Sequence, residues 1–379
     1  MKKSLLALAV LGAFAGVASA QSSVTLYGTL DLSGKYVKND GSAKRYSLSQ
    51  DGINSSQLGI KATEDLGGGL KAGFVLLSGI NADTGSSNSK FWNRRATVSL
   101  WGNFGEVRLG RDYTPTFWNN TIFDAFGTNG LGDSSHVLQL ATATFVRADN
   151  SVQYFLPSGI GGVYGQFMAA AGEGGNAGVT TTVNGVATVN TAQVNGSNIN
   201  PGRYIGGRVG FAAGPFDVAV AYAQQRFTGN FIGTTAGGVA IQRNLNLAGT
   251  VADQKTLNIG GSYDLGVVKL MGYFNRDTVE SLKENRFSLS GVIPFGQSEV
   301  HLGYENSKLT GLPSDQKIDQ FAATYQYNLS KRTAMYTTAS MLKNKNGTSA
   351  SVTSGTAQTA APTAGGKSKG IEFGLRHFF

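Results

Sequence analysis

The chain has 379 residues, including 53 glycines, 7 prolines and no cysteine, and a formal net charge of +9. The lack of cysteine excludes a disulfide-stapled fold. After residue 20, no run approaches the roughly 18 consecutive apolar residues that a membrane helix needs. Abundant glycine, few prolines and the absence of a helical period favour β-structure.

The first 20 residues have the composition of a secretory signal. They start with Lys2 and Lys3, continue with an apolar run over 5–17, and end in Ala18-Ser19-Ala20. A basic start, a short apolar segment and an A-x-A site are typical of a signal peptide that is removed after export. The sequence therefore predicts a cleaved signal over 1–20 and a mature domain over 21–379.

Alternation of apolar and polar residues dominates the mature chain. Leu257 and Ile259, for example, alternate with Thr256 and Asn258. Each such run predicts a strand with one apolar and one polar face. Sixteen strands are predicted, over 23–37, 52–64, 69–79, 92–102, 105–112, 146–156, 162–171, 203–213, 215–225, 255–264, 266–276, 284–294, 297–307, 318–328, 331–342 and 369–379.

The connections alternate in length. Those after even-numbered strands are tight turns, such as Asn103–Phe104 and Phe295–Gly296, whereas those after odd-numbered strands are long. An even number of strands with short turns at one end and long loops at the other is typical of outer-membrane barrels. A soluble β-sandwich would explain the alternation, but not the loop asymmetry or the charged residues on the polar faces. We therefore expect an all-β, 16-stranded antiparallel transmembrane β-barrel with short periplasmic turns and long extracellular loops.

Three of the long connections carry different expectations. Those over 172–202 and 343–368 are rich in Gly, Ser, Thr and Ala, which predicts mobile, exposed segments. The connection over 113–145 lacks regular alternation and contains paired aromatic residues and carboxylates, so a functional role is favoured. It is predicted to fold into the lumen as a third, constricting loop. Three aromatic residues would hold it against the wall and two carboxylates would face the pore: Phe117, Trp118, Phe123, Asp124 and Asp133.

Several segments resemble one family, the trimeric general outer-membrane porins of β-proteobacteria and Neisseria. These segments are SSVTLYGTLDLS, SSQLGIKATEDLGGGLKAGF, FWNRRATVSLWGNFGEVRLGRDYTP, FWNNTIFDAFGTNG, VRADNSVQYFLP, YNLSKRTAMY and GIEFGLRHFF, and they extend from residue 22 to residue 379. The resemblance implies a homotrimer in the bacterial outer membrane that lets small hydrophilic solutes diffuse passively. It also implies contacts with outer-membrane lipid and lipopolysaccharide, and a C-terminal signal ending in Phe379 for the barrel-assembly machinery.

Arginines near the long loop are the candidates for a basic pore wall, because arginine stays charged at any working pH. Arg95 and Arg108 fall on polar faces by alternation, while Arg111 and Arg147 flank the loop. Arg94 faces away by simple alternation, although a bulge near the strand start could re-aim it. By resemblance, one arginine of the Asn-Arg-Arg segment and Arg147 would line the constriction. Further lumen-facing charges are predicted at Asp31, Lys61, Glu106, Arg208, Arg286 and Arg376.

These features together predict a mildly anion-selective channel. Gln57 stands where close anion-selective relatives often have an arginine, which argues against strong selectivity. Each arginine could instead be a rim residue bridged to a lipid phosphate or a carboxylate. A substrate-specific channel and a non-conducting adhesin or structural barrel remain alternative readings.

Other function classes have little support in the sequence. The histidines are His136, His301 and His377, and none lies in a recognisable nucleophile context, so no enzymatic activity is expected. No motif indicates a metal or cofactor. The basic residues are scattered through strands rather than clustered, so nucleic acid is not an expected partner.

Overall fold

The computed structural model describes residues 23–140, 144–172, 179–183, 186–190, 202–228, 232–234, 240–242, 251–353 and 361–379. Within these ranges, sixteen strands form one closed antiparallel barrel, as predicted. They are β1 (Ser23–Asn39), β2 (Gln57–Gly67), β3 (Leu70–Asn81), β4 (Arg95–Gly102), β5 (Gly105–Tyr113), β6 (Arg147–Phe155), β7 (Val163–Ala170), β8 (Tyr204–Ala213), β9 (Phe216–Thr228), β10 (Val251–Asp264), β11 (Lys269–Val279), β12 (Leu282–Phe295), β13 (Ser298–Thr310), β14 (Gln316–Asn328), β15 (Thr333–Lys345) and β16 (Lys367–Phe378).

The barrel closes through β1, which pairs with β2 along its first half and with β16 along its second half. Each strand from β2 to β15 pairs with the strand before it and the strand after it in the chain. Closure pairs the last strand with the first, as a sheet surrounded by lipid requires. In the part of the chain that the structure describes, no helix combines the length and apolarity that crossing a membrane requires.

The barrel wall has an apolar outer face and a polar inner face. On β12, Phe287 and Leu289 are about half exposed, whereas Arg286, Ser288 and Ser290 between them are buried. A soluble sandwich would place the apolar residues inside, so this inverted pattern excludes that alternative. The outer face suits lipid and the inner face suits a polar lumen.

The two barrel ends differ as expected. At one end the strands are joined by tight turns such as Gly214, between β8 and β9, and Gly296, between β12 and β13. Both glycines have φ near +60°, a conformation that favours glycine in two-residue hairpin turns. The long connections lie at the other end, which we call the long-loop end.

The first long connection differs from the predicted boundaries. A short strand over Arg45–Gln50 pairs with Leu32–Val37 of β1, and β2 begins at Gln57 rather than at residue 52. The carboxylate of Asp31 explains the difference, because it accepts hydrogen bonds from the backbone N–H groups of Ile53 (2.9 Å) and Asn54 (2.7 Å). This pairing holds residues 51–56 in a turn instead of a strand.

The last long connection is more ordered than its composition predicts. Strands β15 and β16 extend into the 343–368 segment, and residues 348 and 350–353 are buried. Ala350 and Val352 pack with Leu131 and Val137 of the third long loop. The expectation of an exposed segment is therefore wrong for these residues, whereas residues 354–360 lie outside the described residues. In the 172–202 connection, the structure describes a hairpin formed by Val179–Val183 and Val186–Asn190.

The third long loop joins β5 to β6. It contains helix α1 (Pro115–Ile122) and two 3-10 helices, Gly130–Gly132 and Ser134–Val137. The Thr114 hydroxyl accepts a hydrogen bond from the Phe117 N–H, and Pro115 occupies the first helical position. Both features favour a helix start at this point.

Gly260 on β10 makes room for this loop. A Cβ atom at Gly260 would lie 2.3 Å from Cδ2 of Phe123, which is itself fully buried. We therefore expect Gly260→Ala to lower the free energy of unfolding by about 1–3 kcal/mol, as overpacking typically does. Urea unfolding of purified barrels would measure the change.

Two comparisons isolate this contact. Gly34→Ala serves as the matched control, because no atom lies within 4 Å of the added Cβ. Introducing Gly260→Ala into a Phe123→Ala background should have much less effect, since the clashing ring is gone. Equal effects in both backgrounds would contradict the proposed contact.

Candidate pore constriction

The third long loop crosses the lumen and is fastened to the wall formed by β9–β16. Its bonds to this wall include Asn119 Nδ2 to the Ala219 carbonyl (3.3 Å), Ala125 N–H to Ser290 Oγ (2.9 Å), Leu131 N–H to Glu372 Oε1 (3.2 Å) and Leu140 N–H to Glu284 Oε2 (2.6 Å). These bonds are distributed along the whole loop. The loop therefore lies against one side of the barrel and leaves the opposite side open.

The three loop aromatics expected to hold the loop in place have different environments. Phe123 is buried against β10, and Phe117 is buried with its ring stacked 5.8 Å from the Tyr113 ring. Trp118 lies 5.2 Å from the same tyrosine and faces the open space beside the loop. Phe123 thus anchors the loop to the wall formed by β9–β16, whereas Phe117 and Trp118 contact the end of β5.

A cavity of about 1210 Å³ separates the loop from the opposite wall. Basic side chains from the wall and carboxylates from the loop line this cavity, which we call the constriction cavity. The basic residues are Lys35, Arg94, Arg95, Arg147 and Arg376, and the loop carboxylates are Asp124 and Asp133. The long loop and the predicted arginines therefore do meet across an open space.

Tyr113 organises the basic wall. Its hydroxyl accepts hydrogen bonds from Arg147 (2.8 Å) and Arg94 (3.4 Å), and the Arg147 guanidinium lies 4.3 Å from its ring centroid. The Arg95 guanidinium lies 6.0 Å from the same ring. An aromatic face and a phenol oxygen can hold guanidinium groups together without neutralising them. Three positive charges therefore converge at one tyrosine.

The cavity arginines differ in how far their charge is compensated. Arg95 forms a 2.7 Å ion pair with the buried Asp112, and Arg94 lies 3.7 Å from Asp51. Arg147 has no carboxylate within ion-pairing distance among the residues that the structure describes. Its charge is the least compensated of the three, so it contributes most to the field in the cavity.

Arg94 faces the cavity although simple alternation places it outside. The regular ladder of β4 begins at Arg95, so Arg94 precedes the strand and does not follow its alternation. Two consecutive arginines thereby reach the same space, where alternation allows only one.

Arg108 is not brought into the constriction cavity. It pairs with Asp112 (2.6 Å) and Glu106 (2.8 Å), and its guanidinium lies 4.2 Å from the Phe155 ring centroid. Together with Lys61 and Glu106 it lines a separate cavity of about 400 Å³ towards the short turns. Its position two residues below the bulge in β5 explains why it falls short of the loop.

Arg111 also departs from the expected position. It pairs with Ala96 in the ladder and shares a strand face with Leu109, which is exposed on the outside of the barrel. Its guanidinium donates to Asp149 at 2.5 Å, and the same carboxylate pairs with Lys90. A register shift between Gly110 and Asp112 returns Asp112 and Tyr113 to the inner side, but leaves Arg111 outside.

Two of the predicted lumen charges are buried structural groups. Asp31 is fully buried, accepts the backbone bonds described above and is also hydrogen-bonded to the Tyr336 hydroxyl. Arg286 is buried beneath the loop, 3.2 Å from Asp277 and 3.6 Å from Glu284. Neither side chain has the solvent access that a pore-lining charge needs.

The remaining predicted charges have separate roles. Arg376 lines the constriction cavity and donates to Asn54 Oδ1 at 3.0 Å. Arg208 does not line this cavity, and its guanidinium lies 4.9 Å from the Tyr164 ring centroid. Only Arg376 of this group therefore joins Arg94, Arg95 and Arg147.

The loop carboxylates are held by the loop's own backbone. Asp124 accepts hydrogen bonds from the Phe126 and Thr128 N–H groups, at 3.0 and 3.3 Å, and is only 5% exposed. Burial raises the pKa of its carboxyl to about 6. Asp133 accepts from the Ser135 N–H at 2.7 Å and so caps the second 3-10 helix. Both carboxylates border the cavity, but each is also a structural acceptor.

The raised pKa of Asp124 predicts a pH dependence. As the pH falls through about 6, the Asp124 carboxylate of the folded loop binds a proton, whereas in the unfolded chain it binds one only near the ordinary pKa of aspartate. The stability of the folded loop therefore rises on acidification. The loop also loses a negative charge that faces the basic wall. We therefore expect the anion-to-cation permeability ratio to rise between pH 7 and pH 5, as measured by zero-current potentials.

Asp124→Asn separates this effect from other titrations. The variant should have a higher ratio than the native protein at pH 7 and a smaller rise on acidification. An identical pH profile in both proteins would exclude a contribution from Asp124.

Some residues that shape the cavity were not predicted from the sequence. Tyr113 gathers the arginines, Asp112 compensates Arg95, and Lys35 pairs with Glu372 at 3.4 Å. A Tyr directly after an Arg-Asp pair at the end of a strand was the one available signal. Among the described residues, no group of three or more His, Asp or Glu side chains could hold a metal ion.

Comparison with known proteins places this arrangement in a family. The Gram-negative porin family matches residues 7–347. Outer membrane porin protein 32 of Delftia acidovorans is 37% identical over 391 aligned positions, which cover 100% of both chains. An outer membrane porin of Bordetella pertussis is 31% identical, over 91% of this chain and 95% of its own.

A solved structure supports the same assignment. The anion-selective porin from Comamonas acidovorans matches with a TM-score of 0.75 and 34% identity, over 95% of this chain and 100% of its own. The family match, the full-length relatives and the closed 16-stranded barrel agree. The chain therefore belongs to the Gram-negative porin family.

Proposed function

We propose that the protein forms a water-filled outer-membrane channel through which ions and small hydrophilic solutes diffuse passively, with a mild preference for anions. The observation that carries the anion preference is the convergence of Arg94, Arg95 and Arg147 at Tyr113, opposite a loop with partly buried carboxylates. Similarity to a solved porin described as anion-selective supports the same sign.

The preference for anions follows because the positive charges of the wall are more accessible to a passing ion than the negative charges of the loop. Asp124 is nearly buried and hydrogen-bonded to backbone, so its charge is less available to a passing ion than that of Arg147. The basic wall attracts an anion, whereas the loop carboxylates attract a cation less strongly. At physiological ionic strength the Debye length is about 8 Å, so the effect is confined to ions inside the narrow zone.

The preference should be mild rather than absolute. Arg95 is compensated by Asp112, and Arg94 partly by Asp51. Gln57 lines the same cavity with a neutral side chain. The wall therefore attracts anions without excluding cations.

A substrate-specific channel is the competing function. Liposome swelling with neutral sugars of increasing size distinguishes the two, combined with chloride and potassium flux in the same vesicles. A general channel gives rates that fall smoothly with solute size and do not saturate. A saturable preference for one solute would favour the specific channel instead.

We also propose the processing and assembly expected of the family. Residues 1–20 act as a cleaved export signal, the 21–379 domain inserts through the barrel-assembly machinery, and three copies form a homotrimer surrounded by outer-membrane lipid and lipopolysaccharide. The terminal Phe379 supports a role in closure, because its backbone exchanges two 3.1 Å hydrogen bonds with Gly28 of β1. Long loops on the outer side and short turns in the periplasm follow the usual orientation of such barrels.

A further inference from the structure

Seven lysines occupy the outward face of β1 and β13–β16 at the long-loop end. Their strand neighbours on the same face, such as Phe321 and Phe373, are exposed apolar residues of the barrel exterior. Because side chains alternate along a strand, the lysines share that outer face. This lysine patch consists of Lys38, Lys308, Lys317, Lys343, Lys345, Lys367 and Lys369.

The lysines lie directly opposite one another across the strands. Lys317 is paired in register with both Lys308 and Lys345. Lys343 is opposite Lys367, and Lys369 is opposite Lys38. Like charges at directly opposed positions destabilise a sheet, so the arrangement disfavours the bare barrel. An anion bridging the ammonium groups would remove that repulsion.

The patch is only partly compensated by acidic residues. Asp315 pairs with Lys308 at 2.8 Å, and Asp319 pairs with Lys345 at 3.1 Å. Asp319 also accepts hydrogen bonds from Tyr304 and Asn306 on the neighbouring strand.

Within the part of the chain that the structure describes, four of the lysines are left without an ion pair, although Lys343 is paired in register with Asp319. Lys317, Lys343, Lys367 and Lys369 form no ion pair with a carboxylate in the described ranges, and Asp40 nearby accepts from the backbone N–H of Lys367. The patch therefore keeps a net positive charge.

An apolar groove lies immediately next to the lysines. It has a volume of about 750 Å³, and Leu302, Phe321, Ala323, Ala339 and Met341 line it with Lys369 among its lining residues. The Lys343 ammonium lies 5.9 Å from the Phe321 ring centroid, so charge and apolar surface adjoin directly. Small alanines between larger side chains leave space for an extended hydrocarbon chain.

We propose that this surface binds a phosphorylated lipid of the membrane leaflet at the long-loop end, with its phosphate on the opposed lysines and an acyl chain in the groove. A phosphate monoester carries close to two negative charges and three acceptor oxygens, so it can bridge opposed ammonium groups. Basic residues beside an apolar membrane-facing surface are the usual signature of anionic lipid recognition. This inference rests on the proposed outer-membrane channel, but the lysines lie outside the constriction cavity.

The test compares two double variants that each remove two outward lysines. Lys343→Gln with Lys367→Gln breaks an opposed pair within the patch. Lys255→Gln with Lys283→Gln is the matched control, because both residues are exposed at the long-loop end and each faces a threonine, not a lysine. The full-length barrel, purified in detergent and stripped of lipid, would be titrated with dioleoyl phosphatidic acid, with dioleoylglycerol and with inorganic phosphate.

We expect native protein and control to bind phosphatidic acid alike. Because each basic side chain near an anionic lipid contributes roughly five-fold in affinity, the patch variant should bind about 25-fold more weakly. Without lipid, the patch variant should melt at the same or a higher temperature than the native protein, whereas phosphatidic acid should stabilise only the native protein and the control. Single-channel conductance should be unchanged in both variants, so the channel function is scored independently.

Three results would overturn the proposal. Equal affinity of both double variants for phosphatidic acid would show that the opposed lysines are not the site. A full stabilisation by inorganic phosphate alone would indicate a soluble anion instead of a lipid. Dissociation of the lipid-free patch variant into smaller oligomers would assign this face to contact between copies of the chain.

Discussion

Replacing Arg94 and Arg147 with glutamine should reduce the anion-to-cation permeability ratio about tenfold. Both side chains border the constriction cavity, and Arg147 has no carboxylate partner among the described residues. A unit charge several ångströms from a permeating ion, partly screened by salt, changes this ratio roughly three-fold. Two such charges therefore move the channel from anion preference to mild cation preference. Zero-current potentials in planar bilayers would measure the shift.

Arg111→Gln provides a matched control for this experiment. It removes the same functional group from the other end of the long loop, but from the outer face of the barrel, and Asp149 keeps Lys90 as a partner. The permeability ratio should stay at the native value. If Arg111→Gln changed selectivity as much as Arg147→Gln, the assignment of inner and outer arginines would be wrong.

Replacing residues 120–135 with a short Gly-Ser linker should raise single-channel conductance about two-fold or more. This segment carries the anchoring Phe123, both loop carboxylates and the first 3-10 helix, and its backbone is bonded to Ser290 and Glu372 on the far wall. A 16-stranded barrel without such a filling leaves a wide aqueous channel. The selectivity of the shortened protein should also decline, because ions would pass farther from Arg147.

The barrel itself should survive this change. All sixteen strands pair with their neighbours independently of the loop, so the circular dichroism spectrum should keep its β-sheet shape. Native-like conductance in a correctly folded variant would mean that the loop does not narrow the conducting path.

The strands could be predicted from the sequence because alternation is imposed along every one of them. Phe287 and Leu289 must face lipid while Ser288 and Ser290 face the lumen, so a period of two is visible without knowledge of the fold. The same argument fails where the ladder is irregular. Arg94 precedes its strand, and Tyr113 follows a register shift, so counting residues places both on the wrong side.

Long-range contacts, which sequence patterns do not encode, decide which of the predicted charges face the lumen and which are buried. Asp31 is buried because it bonds to Tyr336, which is 305 positions away, and to the turn at residues 53–54. Arg286 is buried because the long loop folds over it, with Phe145 near its guanidinium. Tyr113 contacts Arg94 and Arg147 because the fold brings the starts of β4 and β6 next to the end of β5. Such pairings follow from closure of the barrel, not from local composition.

The zero-current potential of the native protein across a tenfold KCl gradient tests the central claim most directly. The uncompensated charge of Arg147, with Arg94 and Arg95 beside it, predicts that chloride is about two- to five-fold more permeant than potassium at neutral pH. A chloride-to-potassium ratio at or below one would contradict the proposed basic constriction.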